Sequence, residues 1–183
     1  EYYNAIVLPK KDTEGVWIAY LCTGILLLIV GATGISVFFS DEIAQVFNTP
    51  ALANYYWLLP ISILISGGWN ILNYWYIRHT QYSSISKYQL SQSTFSAVAK
   101  IGFGYAGILQ GGLIYSMIIA PLLSLIIRLA ELYKSGIKSQ LMHPSWQEVK
   151  SMAQRYKKFP LFSLPRSFVN MVAGQLPVLL LTP

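Results

Sequence analysis

Four long apolar stretches, separated by short polar connections, predict an all-α fold: a polytopic membrane helical bundle with about four complete transmembrane helices plus parts of two more. The stretches cover residues 16–39, 56–77, 88–109 and 113–129. Each is near the ~20 residues a helix needs to cross ~30 Å of hydrocarbon at 1.5 Å per residue. Composition points the same way, because 11% of the residues are charged where a soluble domain carries about 25%. The third observation is where the bases fall. Of the 13 lysines and arginines, Lys10, Lys11, Arg78, Lys87, Arg128, Lys134, Lys138, Lys150, Arg155, Lys157 and Lys158 lie in alternate connections. The remaining connections, residues 40–55 and the Gln110-Gly111-Gly112 turn, carry none. By the positive-inside rule the basic loops face the cytoplasm, in a multi-pass protein of the inner (plasma) membrane whose partners include anionic lipid headgroups. The net charge of +6 is therefore assigned to helix ends and not to a nucleic-acid surface.

The elements follow in order. Pro9-Lys10-Lys11-Asp12 reads as a turn, with Asp12 or Thr13 capping the first span and Glu14 in its first turn. Gly24, Gly31 and Gly34 offer sites of close helix approach in lipid. Ser40-Asp41-Glu42 opens a short external helix ending near Asn48-Thr49-Pro50. The second span carries Tyr55-Tyr56-Trp57 at one end and Trp75-Tyr76 at the other, the positions of interfacial aromatic belts. The third and fourth spans form an antiparallel pair. His143-Pro144 breaks the chain, and Ser145 with Glu148 reads as a capping box. The helix that follows is amphipathic and basic, with Trp146, Val149, Met152, Ala153 and Tyr156 on one face. Phe159-Pro160 is expected to end it, and Leu164-Pro165 to start a new apolar segment. The division expected is 1–131 for the membrane helices of a first lobe, 132–160 for a cytoplasmic linker and 161–183 for the start of a second lobe. A chain that opens within one apolar segment and closes within another is read as an internal part of a longer transporter.

Candidate functional residues are few. Lys100 lies about 12 residues into the third span, roughly 18 Å along its axis. A lysine near a helix centre costs ~2.5–3.5 kcal/mol on insertion scales, so such a charge normally faces a wet cavity. The alternative is outward snorkelling past Gly104 and Gly107. Arg166, one residue after Pro165, is either a second cavity cation or an interfacial anchor, and Arg128 reads as an anchor. Asn70 and Asn73 share a helix face beside Trp69, Tyr74 and Tyr76, a combination suited to sugar hydroxyls and ring stacking; interhelical hydrogen bonding is the alternative. Gln92, Gln110, Asn170 and Gln175 carry the same ambiguity. Gly102-Phe103-Gly104-Tyr105-Ala106-Gly107 matches the dinucleotide pattern in letters, but that motif needs a strand before it and here it falls inside a membrane span. His79, His143 and the single Cys22 have no neighbours at ligand spacing, so no metal, cofactor or catalytic residue is expected. Nothing in the chain suggests an enzyme.

The stretch Ala5-Ile6-Val7-Leu8-Pro9-Lys10-Lys11-Asp12 resembles the cytoplasmic loop after the second helix of bacterial oligosaccharide flippases. Trp57-Leu58-Leu59-Pro60 and Leu72-Asn73-Tyr74-Trp75-Tyr76-Ile77-Arg78 resemble that family's next hairpin. Leu164-Pro165-Arg166-Ser167-Phe168 and Gln175-Leu176-Pro177-Val178-Leu179-Leu180 resemble the opening of its seventh helix. These are the polysaccharide biosynthesis exporters, O-antigen and capsule-repeat flippases among them, in the superfamily that also holds multidrug exporters and lipid II flippases. The resemblance implies two six-helix lobes around a central cavity. It also implies transport of undecaprenyl-diphosphate-linked oligosaccharide, a part of lipopolysaccharide and cell-envelope assembly, from the inner to the outer leaflet by alternating access. Lys100 would then meet the diphosphate from one lobe and Arg166 from the other. A cation-coupled drug exporter would want a carboxylate inside the lobe, and the four spans hold none. A membrane enzyme of polysaccharide assembly would be expected to carry catalytic polar groups in a large loop, and the longest external connection has only Asp41 and Glu42 as charges.

Overall fold

The computed structural model describes residues 2–46, 50–105, 112–134 and 145–181, and every regular element among them is helical. A 3-10 segment, Tyr2–Val7, precedes α1 (Asp12–Ser36), which passes through the 3-10 turn Val37–Phe39 into α2 (Ser40–Val46). The 3-10 segment Pro50–Tyr55 leads to α3 (Leu58–Arg78), and α4 (Tyr82–Tyr105), α5 (Gly112–Lys134), α6 (Trp146–Arg155) and α7 (Lys158–Leu181) follow.

Lipid is the solvent this arrangement needs. By length and composition the run Asp12–Gln45 and α5 can each cross a membrane, yet only 11% and 28% of their most apolar windows are buried in the protein. Leu27, Leu28, Ile35, Phe38 and Phe39 on the first, and Leu113, Met117 and Ile126 on α5, are exposed. Apolar surface of that extent is not left facing water. The chain is a membrane protein. The helices α3 and α4 are long enough to span, but they are more polar than α1 and α5.

Two clusters hold the helices together. In the first, the wholly buried Ala5 and Ile6 meet Val16, Ile18 and Cys22 of α1 and Trp75 of α3. In the second, Ile65, Leu72 and Tyr76 of α3 meet Tyr88 of α4 and Leu125 of α5. The α4–α5 pair is the most extensive, and α5 shows why: Gly112, Ser116, Ala120 and Ser124 recur every fourth residue on its buried face. Small side chains at that spacing let two helices approach closely in lipid. A Cβ added at Gly112 would lie 2.7 Å from Phe103 Cβ, and the hydroxyls of Ser91 and Ser124 are hydrogen-bonded across the pair at 3.2 Å. The close approach between α1 and α3 is made at Gly67, where a Cβ would meet Leu26. Gly24, Gly31 and Gly34, expected to do this, have open space around them, because the outer part of α1 has no neighbour on that side. Gly102 and Gly104 are likewise open and lie within α4; Gly107 and the expected turn at 110–111 fall outside the described residues, as do Lys138, His143 and Asn48.

Several local expectations shift. Lys11, not Asp12 or Thr13, occupies the N-cap of α1, because the Asp12 carboxylate is engaged by Arg78. The α3 helix ends in a Schellman motif: Gln81 N–H donates to the Tyr76 carbonyl at 2.8 Å and Thr80 N–H to that of Ile77 at 3.0 Å. Thr80 takes the left-handed conformation there with φ 55°. Ser145 caps α6 through its backbone carbonyl, which accepts from Val149, with no side-chain cap bond. Proline does not divide the last segment, since α7 runs from Lys158 through both Pro160 and Pro165. Pro160 sits in the first turn, where its missing N–H has no intrahelical partner to lose, and membrane helices tolerate an interior proline such as Pro165. The apolar face of α6 packs on the protein. Val149 is buried, and Met152 and Tyr156 pack against the cluster around Ile6 and Val16, leaving Trp146 and Lys150 outward.

Candidate functional site

Three turns of α3 carry Ser62, Ser66 and Asn70 at i, i+4 and i+8, one stripe on the helix surface. On α4, Tyr88 and Gln92 stand four residues apart in the same relation. On α5, Met117, Ile118 and Pro121 form the third wall. Together with Ile63, Ile65 and Trp69 they line an open cavity of about 390 Å³. Ser62, Ser66 and Asn70 of α3 and Gln92 of α4 are thus the polar residues of these two helices that line this space, with Tyr88.

The cavity has an aromatic floor. The rings of Trp69 and Tyr88 stack with centroids 3.4 Å apart and planes 8° from parallel, joining α3 to α4. The serine hydroxyls donate to their own helix, Ser62 to the Leu58 carbonyl at 2.9 Å and Ser66 to that of Ile63 at 3.3 Å. Their oxygens remain as acceptors. The amides of Asn70 and Gln92 each offer both donors and an acceptor. Pro121 supplies no N–H to the carbonyl one turn before it, that of Met117, which adds a backbone acceptor beside the same space. Its lining contains no carboxylate and no base. It is suited to a neutral, hydroxyl-rich ligand with a flat apolar face, held by amides and rings.

A second cavity, of about 210 Å³, lies between α1, α3 and the Tyr2–Val7 segment. Cys22, Ile25, Leu26, Ile29, Gly67 and Ile71 line it, and Ile63, Ser66 and Asn70 belong to both cavities.

Of the residues singled out from sequence, Asn70 is placed in the shared wall, and Gln92 lines the larger cavity alone. Asn73 is half-buried one turn further along α3 and lines neither cavity. Lys100 is exposed on α4, about 12 Å beyond Gln92 by helical rise. Lys100 is not among the residues lining the cavity; in the antiparallel register set by the Trp69–Tyr88 stack it is level with the start of α3, about 7.5 Å beyond Ser62 by helical rise. Arg166 is exposed on α7 and is not brought to this site. Ser62, Ser66 and Tyr88 were missed. The i, i+4, i+8 polar stripe on α3 is the signal that points to the serines; Tyr88 becomes legible only once α3 and α4 are set side by side.

A separate polar cluster closes the basic end. The Arg78 side chain is 7% exposed; its Nε and Nη2 donate to Asp12 Oδ1 at 3.1 and 3.0 Å, and its Nη1 to the Ile6 carbonyl at 2.8 Å. Arg155 of α6 pairs with Glu14 at 3.6 Å, and the Tyr2 hydroxyl donates to the Ala153 carbonyl at 3.3 Å. Arg128, expected as an interfacial anchor, is buried; it pairs with Glu131, and its carbonyl accepts from the Tyr76 hydroxyl at 3.3 Å.

Comparison with known proteins gives no significant match among curated proteins or among solved structures. A family model described as polysaccharide biosynthesis protein matches residues 7–181. That span takes in α1 to α7 and the whole lining of the larger cavity, and on it the chain belongs to the polysaccharide biosynthesis protein family.

Proposed function

We propose that this protein is a transporter that flips lipid-linked oligosaccharide repeat units across the inner membrane by alternating access, with its basic end in the cytoplasm. The observation that carries the reading is the cavity of about 390 Å³ between α3, α4 and α5. Amides, hydroxyl oxygens and a stacked Trp–Tyr pair are the groups that recognise a sugar ring by hydrogen bonds and apolar contact, and here they face one another between membrane helices. Membership in a polysaccharide biosynthesis family supplies the substrate class. A cavity without carboxylates favours a glycan over a cationic drug as cargo, and a binding role over acid–base catalysis. Lys100, exposed on α4 beyond the Ser62 end of the cavity, and Arg166 are the candidate cations for the diphosphate that links glycan to lipid. The proposed ligand is thus an undecaprenyl-diphosphate-linked glycan, with Asn70 at the glycan, Lys100 as the cation for the diphosphate and no cofactor; Arg166, which lies away from this cavity, is a second candidate for the diphosphate, and Asn73 has at most a supporting role.

The test is surface display of the glycan in a strain lacking its own flippase, with the protein expressed from its complete reading frame and its level checked by blot. Wild type is expected to restore display, Lys100→Ala to abolish it, and Lys100→Arg to retain part. A silent Lys100→Ala at equal protein level removes Lys100 from the site and leaves it as a snorkelling residue. Failure of the wild type to restore display contradicts the transport reading.

A further inference from the structure

We infer that the cavity between α1 and α3 holds the isoprenoid chain of the lipid-linked sugar whose glycan occupies the neighbouring cavity; the inference rests on the transport reading above. The two spaces adjoin along one strip of α3, because Ile63, Ser66 and Asn70 line both. Their other walls differ in kind. On the α4–α5 side stand Gln92, Ser62 and the Trp69–Tyr88 stack among Ile65, Met117 and Ile118; on the α1 side stand Cys22, Ile25, Leu26, Ile29 and Ile71, with Tyr2 and Tyr3 of the 3-10 segment. An amphiphile with a polar head and a branched hydrocarbon tail matches that division across a single boundary at Asn70.

The route to the bilayer is also apolar. Ile29 lines the cavity and is 47% exposed, and its neighbours Leu27 and Leu28 are 57% and 75% exposed. A chain leaving past Ile29 reaches lipid without crossing a polar side chain of α1. The inner wall is fixed, since Gly67 lets Leu26 lie directly against α3, and a Cβ there would collide with it. A hydrocarbon tail entering this space exchanges bilayer for protein, so the tail adds position more than affinity. Its role is to hold the head-group in register with Asn70 and the stacked rings.

The protein in lipid nanodiscs is labelled with a farnesyl-diphosphate-linked disaccharide bearing a diazirine at the chain end, and adducts are mapped by peptide mass spectrometry. Adducts are expected on Ile25, Leu26, Ile29 and Ile71, and to fall roughly tenfold with excess unlabelled compound but not with phosphatidylglycerol. Ile29→Trp, which fills the exit, lowers them severalfold, whereas Leu28→Trp on the lipid side does not. Adducts spread over Leu27, Leu28 and Phe38, or displaced equally by phosphatidylglycerol, show an ordinary bilayer chain and overturn the inference. So does the absence of adducts in the groove, which means that protein fills it. Saturable, groove-confined adducts in a protein that fails the display assay uphold the chain site and sink only the transport reading.

Discussion

Asn70→Leu is expected to reduce glycan display by between about 10- and 100-fold at normal protein level, while Asn73→Leu changes it by less than about twofold. Leucine keeps the volume and the helix of α3 but removes the amide from the wall common to both cavities, leaving only the Ser66 hydroxyl there. A buried hydroxyl left without its partner costs about 1–3 kcal/mol, and each 1.4 kcal/mol is a factor of ten. Folding should not suffer. Interhelical hydrogen bonds in membranes average only ~0.6 kcal/mol, and leucine is the better lipid-phase residue. Asn70→Gln, which retains the amide one methylene further out, should keep part of the function. If Asn70→Leu and Asn73→Leu behave alike, the cavity is packing and not a binding site.

Arg78→Ala should lower stability by about 2–3 kcal/mol and the apparent Tm of purified protein by roughly 5–10 °C. Three hydrogen bonds from a nearly buried guanidinium join the end of α3 to the start of α1 and to the Ile6 carbonyl. Asp12 is 58% exposed, so the ion pair itself contributes little more than a surface bridge. The larger share comes from Ile6, whose carbonyl loses its donor, and from the gap left over Gly15, against which the guanidinium packs. Arg78→Lys recovers only part, since an ammonium cannot reproduce the fork. Scanning fluorimetry in detergent measures this. A drop below about 2 °C would mean that the Tyr2–Val7 segment is held by its apolar contacts alone.

How much of this was legible in the chain differs from element to element. The four long helices follow from hydrophobic length, and the basic connections from charge placement. The start of α4 lies six residues before the apolar stretch, at Tyr82, because Ser83, Ser84 and Ser86 there are helical once Ile85 and Tyr88 dock on α3 and α5. The unbroken α7 was hidden by reading Pro160 and Pro165 as breaks, although the first falls where a helix tolerates proline. For the site, the Asn70 face was readable from spacing within one helix. Its pairing with Gln92 and Tyr88 was not, because that depends on the α3–α4 register, fixed by a stack between residues nineteen apart. Arg128 and Arg78 show the same limit: each looks like an interfacial base in sequence and is buried by partners that only the tertiary fold supplies.

The most direct measurement of the central claim is translocation by the purified complete protein in liposomes containing a fluorescent lipid-linked oligosaccharide, read by the fraction that membrane-impermeant dithionite bleaches over time. Proteoliposomes are expected to exchange the labelled lipid between leaflets well above protein-free vesicles, and Asn70→Leu to bring the rate back towards that background. Exchange no faster than in empty vesicles, with the protein folded and inserted, contradicts the account.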